Sequence, residues 1–373
     1  MSDICIETVN TKKALKAFIV FPWKIYKDDP NWVPPLLMEV RDKLNRKKNP
    51  FFEHADMELF LAYKNGKLAG RIAAVIDENH NNTHHERIIF FGMFECIDDF
   101  EVAKNLLDHV KAWGIERGMT VLRGPVNLSM NDECAFLIEG FDSPPTIMMP
   151  YNPPYYLNLM DKYGMVKAKD LFAFLVKKGL LAKEKVRSVI RRIEDRTSVT
   201  LRNVDLKNIT KETESIAYIY NEAWKDNWGF VARTKTEIDH MAKNLKRFAD
   251  PGLIVIAEDK GRPVGFGFGL PNYNEIFKKM NGRLFPFGII RFLLLKKKIK
   301  GVRALVFGVL KEYRNTGISY LIYSNMEKHG LEAGYEWFEP SWQLEDNEAV
   351  LYFSKSLGGN IYKKYRIYEK PLA

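Results

Sequence analysis

The chain is predicted to fold as two tandem α+β domains, and three observations lead there. Its 373 residues exceed what one hydrophobic core ordinarily supports. The order of strand and helix signals in the first half begins again in the second, a weak internal repeat of ~180 residues that is too long for a solenoid and fits a duplicated domain. The two halves also end alike, since YYLNLMDKYGMVKAKDLFAFLV and VLYFSKSLGGNIYKKYRIYEK each read as a helix, a Tyr-Gly or Leu-Gly stop and a strand.

In the first half, Ile4 to Val9 alternates as a short strand, and Lys12 to Tyr26 carries apolar residues at helical spacing until DDPNWVPP breaks the pattern. Glu58 to Tyr63 and Lys67 to Ile76 flank Asn65-Gly66, the strongest short-range hairpin signal. Arg87 to Glu95 is a further strand, Phe100 to Glu116 an amphipathic helix stopped at Gly118, and Met119 to Arg123 a strand. A helix from Pro154 to Tyr163 ends at Gly164, and Val166 to Val176 closes the half as a strand.

Lys183 to Thr197, KEKVRSVIRRIEDRT, reads as a charged connector helix packed lightly on the surface, which places the domains at 1–182 and 198–373. The order then restarts with strand Val199 to Val204, helices Lys211 to Ala223 and Lys235 to Phe248 around a Trp-rich loop, and strands Leu253 to Glu258 and Pro263 to Leu270. Strand Arg303 to Val309, helix Gly317 to Gly330, strand Trp337 to Gln343, helix Asn347 to Ser356 and strand Asn360 to Tyr368 complete it.

Composition narrows the function classes. A formal charge of +10 favours phosphates, anionic cofactors, nucleic acid or acidic membrane surfaces without choosing among them. Cys5, Cys96 and Cys134 are too few and too widely spaced for a disulfide framework or a zinc site, which fits a reducing, cytoplasmic setting. No apolar run approaches the ~20 residues that span a bilayer. Leu284 to Leu295, LFPFGIIRFLLL, abuts a basic cluster; a core or interface helix is the commoner reading, and peripheral membrane contact or an acyl-chain tunnel the sharper ones. HNNTHH, from His80 to His85, lies in a polar turn without matching ligands and reads as a solvated loop, so no metal is expected.

The most informative segment is Phe307 to Tyr323, FGVLKEYRNTGISYLIY, where an apolar strand runs through a basic loop with one glycine into a helix. The first amides of a helix have no internal partner and its dipole favours negative charge, so such a junction is an anion cradle. VLKEYRNTGIS resembles the strand-loop-helix signature of GCN5-related N-acetyltransferases (GNATs), Arg or Gln, two residues, Gly, one residue, then Gly or Ala. Here these are Arg314, Gly317 and Ser319, with Ser where Gly or Ala is usual.

NEAVLYFSKSLGG, beginning at Asn347, is similar to the family's downstream helix-and-strand segment. The resemblance implies two tandem GNAT-like domains, each a mixed, mostly antiparallel sheet flanked by helices. It also implies acetyl-CoA or another acyl-CoA as co-substrate, held by Val309, Arg314, Asn315, Thr316, Gly317, Ile318, Ser319 and Asn347. A helix N-cap is the plain alternative for Asn347. FPWKIYKDDPNWVPPL and MMPYNPPYY extend the resemblance over nearly the whole chain, to a bacterial group of tandem acyltransferase-like proteins.

Family chemistry implies direct attack of an amine on an acyl thioester, with the Val309 N–H polarising the carbonyl. Many members place a tyrosine acting as general acid where this chain has Ser354, a poor proton donor; Tyr352, two residues earlier, is the substitute candidate, with a core tyrosine as its commoner reading. Glu339 and Glu345, flanking the SWQL segment, are candidate bases, each with the alternative of a surface carboxylate. Trp224, Trp228 and Phe230 in AWKDNWGFVAR stand where family members cover the acceptor, with aromatic packing as the alternative.

In the first half the corresponding junction, FFGMFECIDDFEVAKNLL, puts Asp98, Asp99 and Glu101 where the basic loop would be; carboxylates repel a pyrophosphate and suit helix caps. Gly124 to Tyr156 is a long irregular stretch of the kind that binds ligands. The leading expectation is an acyl-CoA-dependent N-acyltransferase with a small-molecule acceptor: an amine, amino acid or lipid-linked group. An acyl-CoA-binding sensor or interaction scaffold is the alternative. Transfer from aminoacyl-tRNA ranks lower, because nucleic-acid binding would want a dense basic stripe with interleaved aromatics.

Overall fold

The computed structural model of the protein describes residues 3–177, 184–246, 248–284 and 288–372. The boundary expected at 182–183 and Pro286 of the apolar run lie outside the described residues. The chain forms two compact units: unit 1 is Met1–Leu171, Phe277–Gly288 and Lys363–Ala373, and unit 2 is Phe172–Ile276 and Ile289–Tyr362.

The first repeat runs β1 (Ile4–Thr8), α1 (Lys12–Val20), α2 (Pro22–Ile25), α3 (Leu37–Lys43), β2 (Ala55–Lys64), β3 (Lys67–Asp77), α4 (Glu78–His84) and β4 (Ile88–Cys96). It ends with α5 (Phe100–Ile115), β5 (Val121–Gly124), β6 (Phe136–Glu139), α6 (Tyr155–Tyr163) and β7 (Val166–Lys177). The second begins α7 (Glu184–Glu194), β8 (Val199–Asn203), α8 (Ile209–Trp224), α9 (Lys235–Leu245), β9 (Ile254–Asp259), β10 (Arg262–Pro271), α10 (Asn274–Met280) and α11 (Gly288–Leu295). It closes with β11 (Gly301–Val309), α12 (Ile318–Glu332), β12 (Trp337–Pro340), β13 (Gln343–Leu344), α13 (Glu348–Ser356) and β14 (Asn360–Pro371).

Unit 1 holds the strand order β1-β2-β3-β4-β5-β14, antiparallel except for the parallel pair β4–β5, with β6 on β14. The β2–β3 hairpin turns on Asn65 and Gly66 at φ 50° and 72°, as two left-handed residues in a type I′ turn should. α5 crosses between β4 and β5 and buries Val102, Leu106, Val110 and Trp113 on one stripe against Phe60, Ile72, Phe91 and Leu122. Each such side chain contributes about 1.5–3 kcal/mol of burial.

Unit 2 repeats the plan as β7-β12-β11-β10-β9-β8, with β11–β12 parallel, their neighbours antiparallel, and β13 on β7. α12 crosses between β11 and β12, and its Ile318, Ile322 and Met326 pack on Val255, Val264 and Phe266. α7 is not a lightly attached connector: its Ile190 is buried, and Val186 and Ile193 pack with it around Leu321 and Tyr320 of α12.

The units depart from the 1–182 and 198–373 division because each sheet is completed by the last strand of the other repeat. In unit 1, β5 pairs antiparallel with β14 through Tyr368↔Gly124 to Pro371↔Val121. In unit 2, β12 pairs antiparallel with β7 through Trp337↔Lys177 and Phe338↔Val176. A division by repeat therefore cuts each strand from the sheet it serves.

HNNTHH is a second departure, since it lies within and just after helix α4 rather than in a solvated turn. Asn81 bonds both the N–H and the C=O of Ile88, and His80 is buried with Nε2 3.1 Å from Glu86 Oε2. Burial, with His84 beside it, pushes His80 down to about 4. The unfolded chain takes up this proton near the ordinary value of about 6.5. Stability contributed here is therefore complete above about pH 6.5 and is lost as pH falls towards 4. Urea unfolding of the parent and of His80→Gln should show it: the parent loses stability between pH 6.5 and 4, and the variant has a shallower pH slope over that window.

Candidate functional site

β11 follows β12 only from Gly301↔Trp337 to Ala304↔Pro340, and beyond that pair the two strands part. On its other edge β11 stays paired with β10 to Val309. The Leu310 N–H bonds the Val264 carbonyl at 2.9 Å, and amides alternate along a strand. The Val309 N–H therefore faces the edge that β12 has left, beyond the last ladder pair Ala304↔Pro340. On that edge the Phe307 carbonyl accepts from Trp224 Nε1 of α8 at 3.2 Å.

From this edge the chain turns into α12 through a loop pinned on several sides. Tyr313 Oη donates to Asp259 at 2.7 Å, Glu312 pairs with Arg262 at 3.0 Å, and Thr316 Oγ1 donates to the Tyr313 carbonyl at 2.7 Å. Arg314 Nη2 donates to the Ala223 carbonyl near the end of α8, at 2.8 Å. Asn315 and Gly317 take φ 68° and 91°. Gly317 is the N-cap of α12 and offers no side chain to it. Among the described residues none accepts from the N–H groups of Asn315, Gly317, Ile318 or Ser319. Four free amides at a helix N-terminus suit a pyrophosphate. Gly317 is enforced twice, by its φ and by Ile193, whose Cδ1 would lie 2.6 Å from an added Cβ.

Where β11 and β12 part there is a buried polar network. Arg303, opposite Glu339 in the parallel register, donates from Nε to Ser341 Oγ at 2.9 Å. Ser341 Oγ donates to Glu339 Oε1 at 2.5 Å, and Tyr362 Oη donates to the other carboxylate oxygen. Glu339 is fully buried, so it is no surface carboxylate, and Tyr362 is half-exposed. Glu345 is half-buried in the turn leading to α13.

The remaining sequence-predicted residues divide. Asn347 caps α13, its side chain accepting from the Val350 N–H at 3.3 Å. Ser354 is wholly buried and its hydroxyl accepts from Gln343 Nε2 at 2.6 Å, whereas Tyr352 is 72 % exposed rather than a core residue. Phe230 is buried against Tyr220, which also touches Trp224, and Trp228 is half-buried. Arg303, Ser341, Gln343 and Tyr362 were not singled out from sequence. Gln343 leaves its buried Oε1 without a partner among the described residues. Only the alternation of SWQL, which puts Ser341 and Gln343 on one face, hinted at any of them.

The same position in unit 1 is filled by the chain itself. β4 and β5 part after Phe90↔Arg123, and the segment 124–135 folds onto the vacated edge. Val126 N–H bonds the Phe91 carbonyl at 2.8 Å, Asn127 Oδ1 accepts from the Met93 N–H at 2.7 Å, and the Cys96 N–H reaches Tyr156 Oη at 2.9 Å. Asp99 caps α5 by accepting from the Glu101 and Val102 amides, and pairs with Lys64. The irregular stretch expected to bind a ligand thus occupies unit 1's own cleft. Among the described residues no group of three or more His, Cys, Asp or Glu is placed to hold a metal ion.

No family model matches the chain. It is 37 % identical over 380 residues to a protein named bacterial ceramide synthase, from Caulobacter vibrioides (strain NA1000 / CB15N), with 100 % of this chain and 98 % of that protein covered. It is 35 % identical over 376 residues to Protein YghO of Escherichia coli (strain K12), with 98 % and 95 % covered. The solved structure of a tandem GNAT protein from the clavulanic acid biosynthesis pathway matches at a TM-score of 0.61 and 9 % identity, over 100 % of this chain and 99 % of that one. At such identity the likeness is one of fold alone, and the fold is the tandem GNAT fold that the resemblance implied. Two substitutions check the local account by urea unfolding: Gly317→Ala should cost about 1–3 kcal/mol through backbone strain and the Ile193 contact, and Ser341→Ala about 1–3 kcal/mol through lost partners for Arg303 and Glu339.

Proposed function

The chain belongs to the family of the Caulobacter ceramide synthase and YghO, and from that premise we propose that it is an acyl-CoA-dependent N-acyltransferase acting on the amino group of a long-chain amino alcohol. A ceramide is the N-acyl derivative of such an amine, which is what the relative's name contributes. The observation that carries the reading is the joining of an unfilled strand edge, with Val309 N–H pointing into it, to an uncapped helix N-terminus with four free amides. These are the two anchor points an acyl-CoA needs, one for the thioester carbonyl and one for the pyrophosphate.

In this scheme the amine nitrogen attacks the thioester carbon, forming C–N, while the Val309 N–H takes the developing oxyanion. One amine proton passes to Tyr362 Oη as the tyrosine's own proton moves to Glu339, to which it already donates. Collapse breaks C–S, and coenzyme A leaves as a thiolate that takes its proton from water. Ser354 and Tyr352 have no part, the first being engaged by Gln343 and the second turned to solvent. That same observation favours a second reading, binding of acyl-CoA without transfer, because neither Ser354 nor Tyr352 is free and turned inward to protonate the thiolate.

Release of free thiol from long-chain acyl-CoA should require sphinganine and be absent without it; binding of acyl-CoA with no release under either condition selects the second reading. Glu339→Gln should lower kcat by roughly 10²-fold or more, and Tyr362→Phe should lower it in the same direction with little change in KM. Acyl-CoA at a hundredfold excess over its Kd should stabilise the parent by about 2.7 kcal/mol. Gly317→Glu, which puts a carboxylate in the cradle, should abolish that gain.

A further inference from the structure

α11 carries a face that nothing among the described residues covers. Its inner side is anchored by Phe292, whose ring stacks on Tyr273 at 5.3 Å and meets Phe248 edge-on at 5.9 Å. At 100° per residue, Ile289 and Leu293 climb one flank of the helix, and Ile290 and Leu294 line the arc opposite Phe292. They are 39 %, 57 %, 55 % and 69 % exposed. Elsewhere the exposed large apolar residues are scattered, while here four branched aliphatics share two turns.

The helix ends directly in Lys296, Lys297 and Lys298, all exposed and with no ion pair among the described residues, and Arg291 is exposed on its flank. We propose that α11 and this lysine triplet form a peripheral membrane anchor that docks on a bilayer carrying acidic phospholipids. Eight residues are about 12 Å of helix, far short of a span but enough to lie along the headgroup boundary with the aliphatic arc in the acyl region. The exposed side chains are aliphatic throughout, suited to an acyl environment. The lysines supply complementarity to phosphate headgroups within a Debye length of the surface. Charge and exposure together favour lipid over a second copy, since a basic triplet at a self-contact would have to meet its own like.

Co-sedimentation with phosphatidylcholine vesicles, with and without phosphatidylglycerol, tests this on the full chain, with turnover playing no part in the readout. The parent should bind the acidic vesicles at least tenfold more tightly than the neutral ones. Ile290→Ser/Leu294→Ser and Lys296→Gln/Lys297→Gln/Lys298→Gln should each lose at least tenfold in that binding while unfolding at the parent's temperature, since every substituted side chain is exposed. Failure of the parent to bind acidic vesicles, equal binding to both kinds, or unchanged binding by either variant overturns the proposal. So does a parent that sediments as a dimer which the Ile290→Ser/Leu294→Ser variant dissolves, because the face is then a contact between copies.

Discussion

A strand that parts from its neighbour must satisfy its backbone in some other way, and both units turn on how they do so. In each, a parallel pair separates after three or four residues, and the amides beyond that point have lost their ladder. Unit 1 answers with its own chain: the segment 124–135, a glutamate-bound tyrosine and an acidic cap take up the exposed groups. Unit 2 leaves the edge and the helix start open, and holds its loop in place with side chains that do not obstruct them. Two cores built to one plan thus treat the same parting of strands in opposite ways.

The polar residues around that opening follow from the same constraint. Arg303, Ser341 and Glu339 lie where strand separation would expose polar backbone to an apolar interior, and their mutual bonds keep a charged group buried without a bare lone pair at the carboxylate. Breaking one member leaves the others desolvated, which is why a hydroxyl as small as that of Ser341 matters to the whole.

Local signals in the sequence were sufficient for most elements. Asn65-Gly66 set the hairpin, Gly118 and Gly164 marked helix ends, and the turn before Ile318 was visible in one glycine after a basic loop. Non-local facts were not legible. Nothing about Val166 to Lys177 tells which β-strand it will join, because an alternating apolar strand serves any open edge equally. His80 looked solvated because its neighbours are polar, whereas its burial comes from Phe90 and the Glu86–Arg123 pair, which sequence proximity only half reveals. Tyr362, Ser341 and Arg303 carried no motif, and they are joined through Glu339, which the register of β11 against β12 sets opposite Arg303 and to which Tyr362 reaches from β14. The exposure of α11 also ran against its composition, since an apolar helix is ordinarily taken inside.

The crossing of the terminal strands bears on how such a chain can change over time. A repeat whose cleft is filled by its own chain would ordinarily be free to erode or be deleted, yet β7 closes the sheet of unit 2 and β14 that of unit 1. Each copy is therefore retained for the strand it lends, whatever becomes of its chemistry. The first repeat can explore new surfaces and fill its cleft with its own residues, but it cannot be discarded, and a duplication of this kind is locked in from the moment the strands exchange.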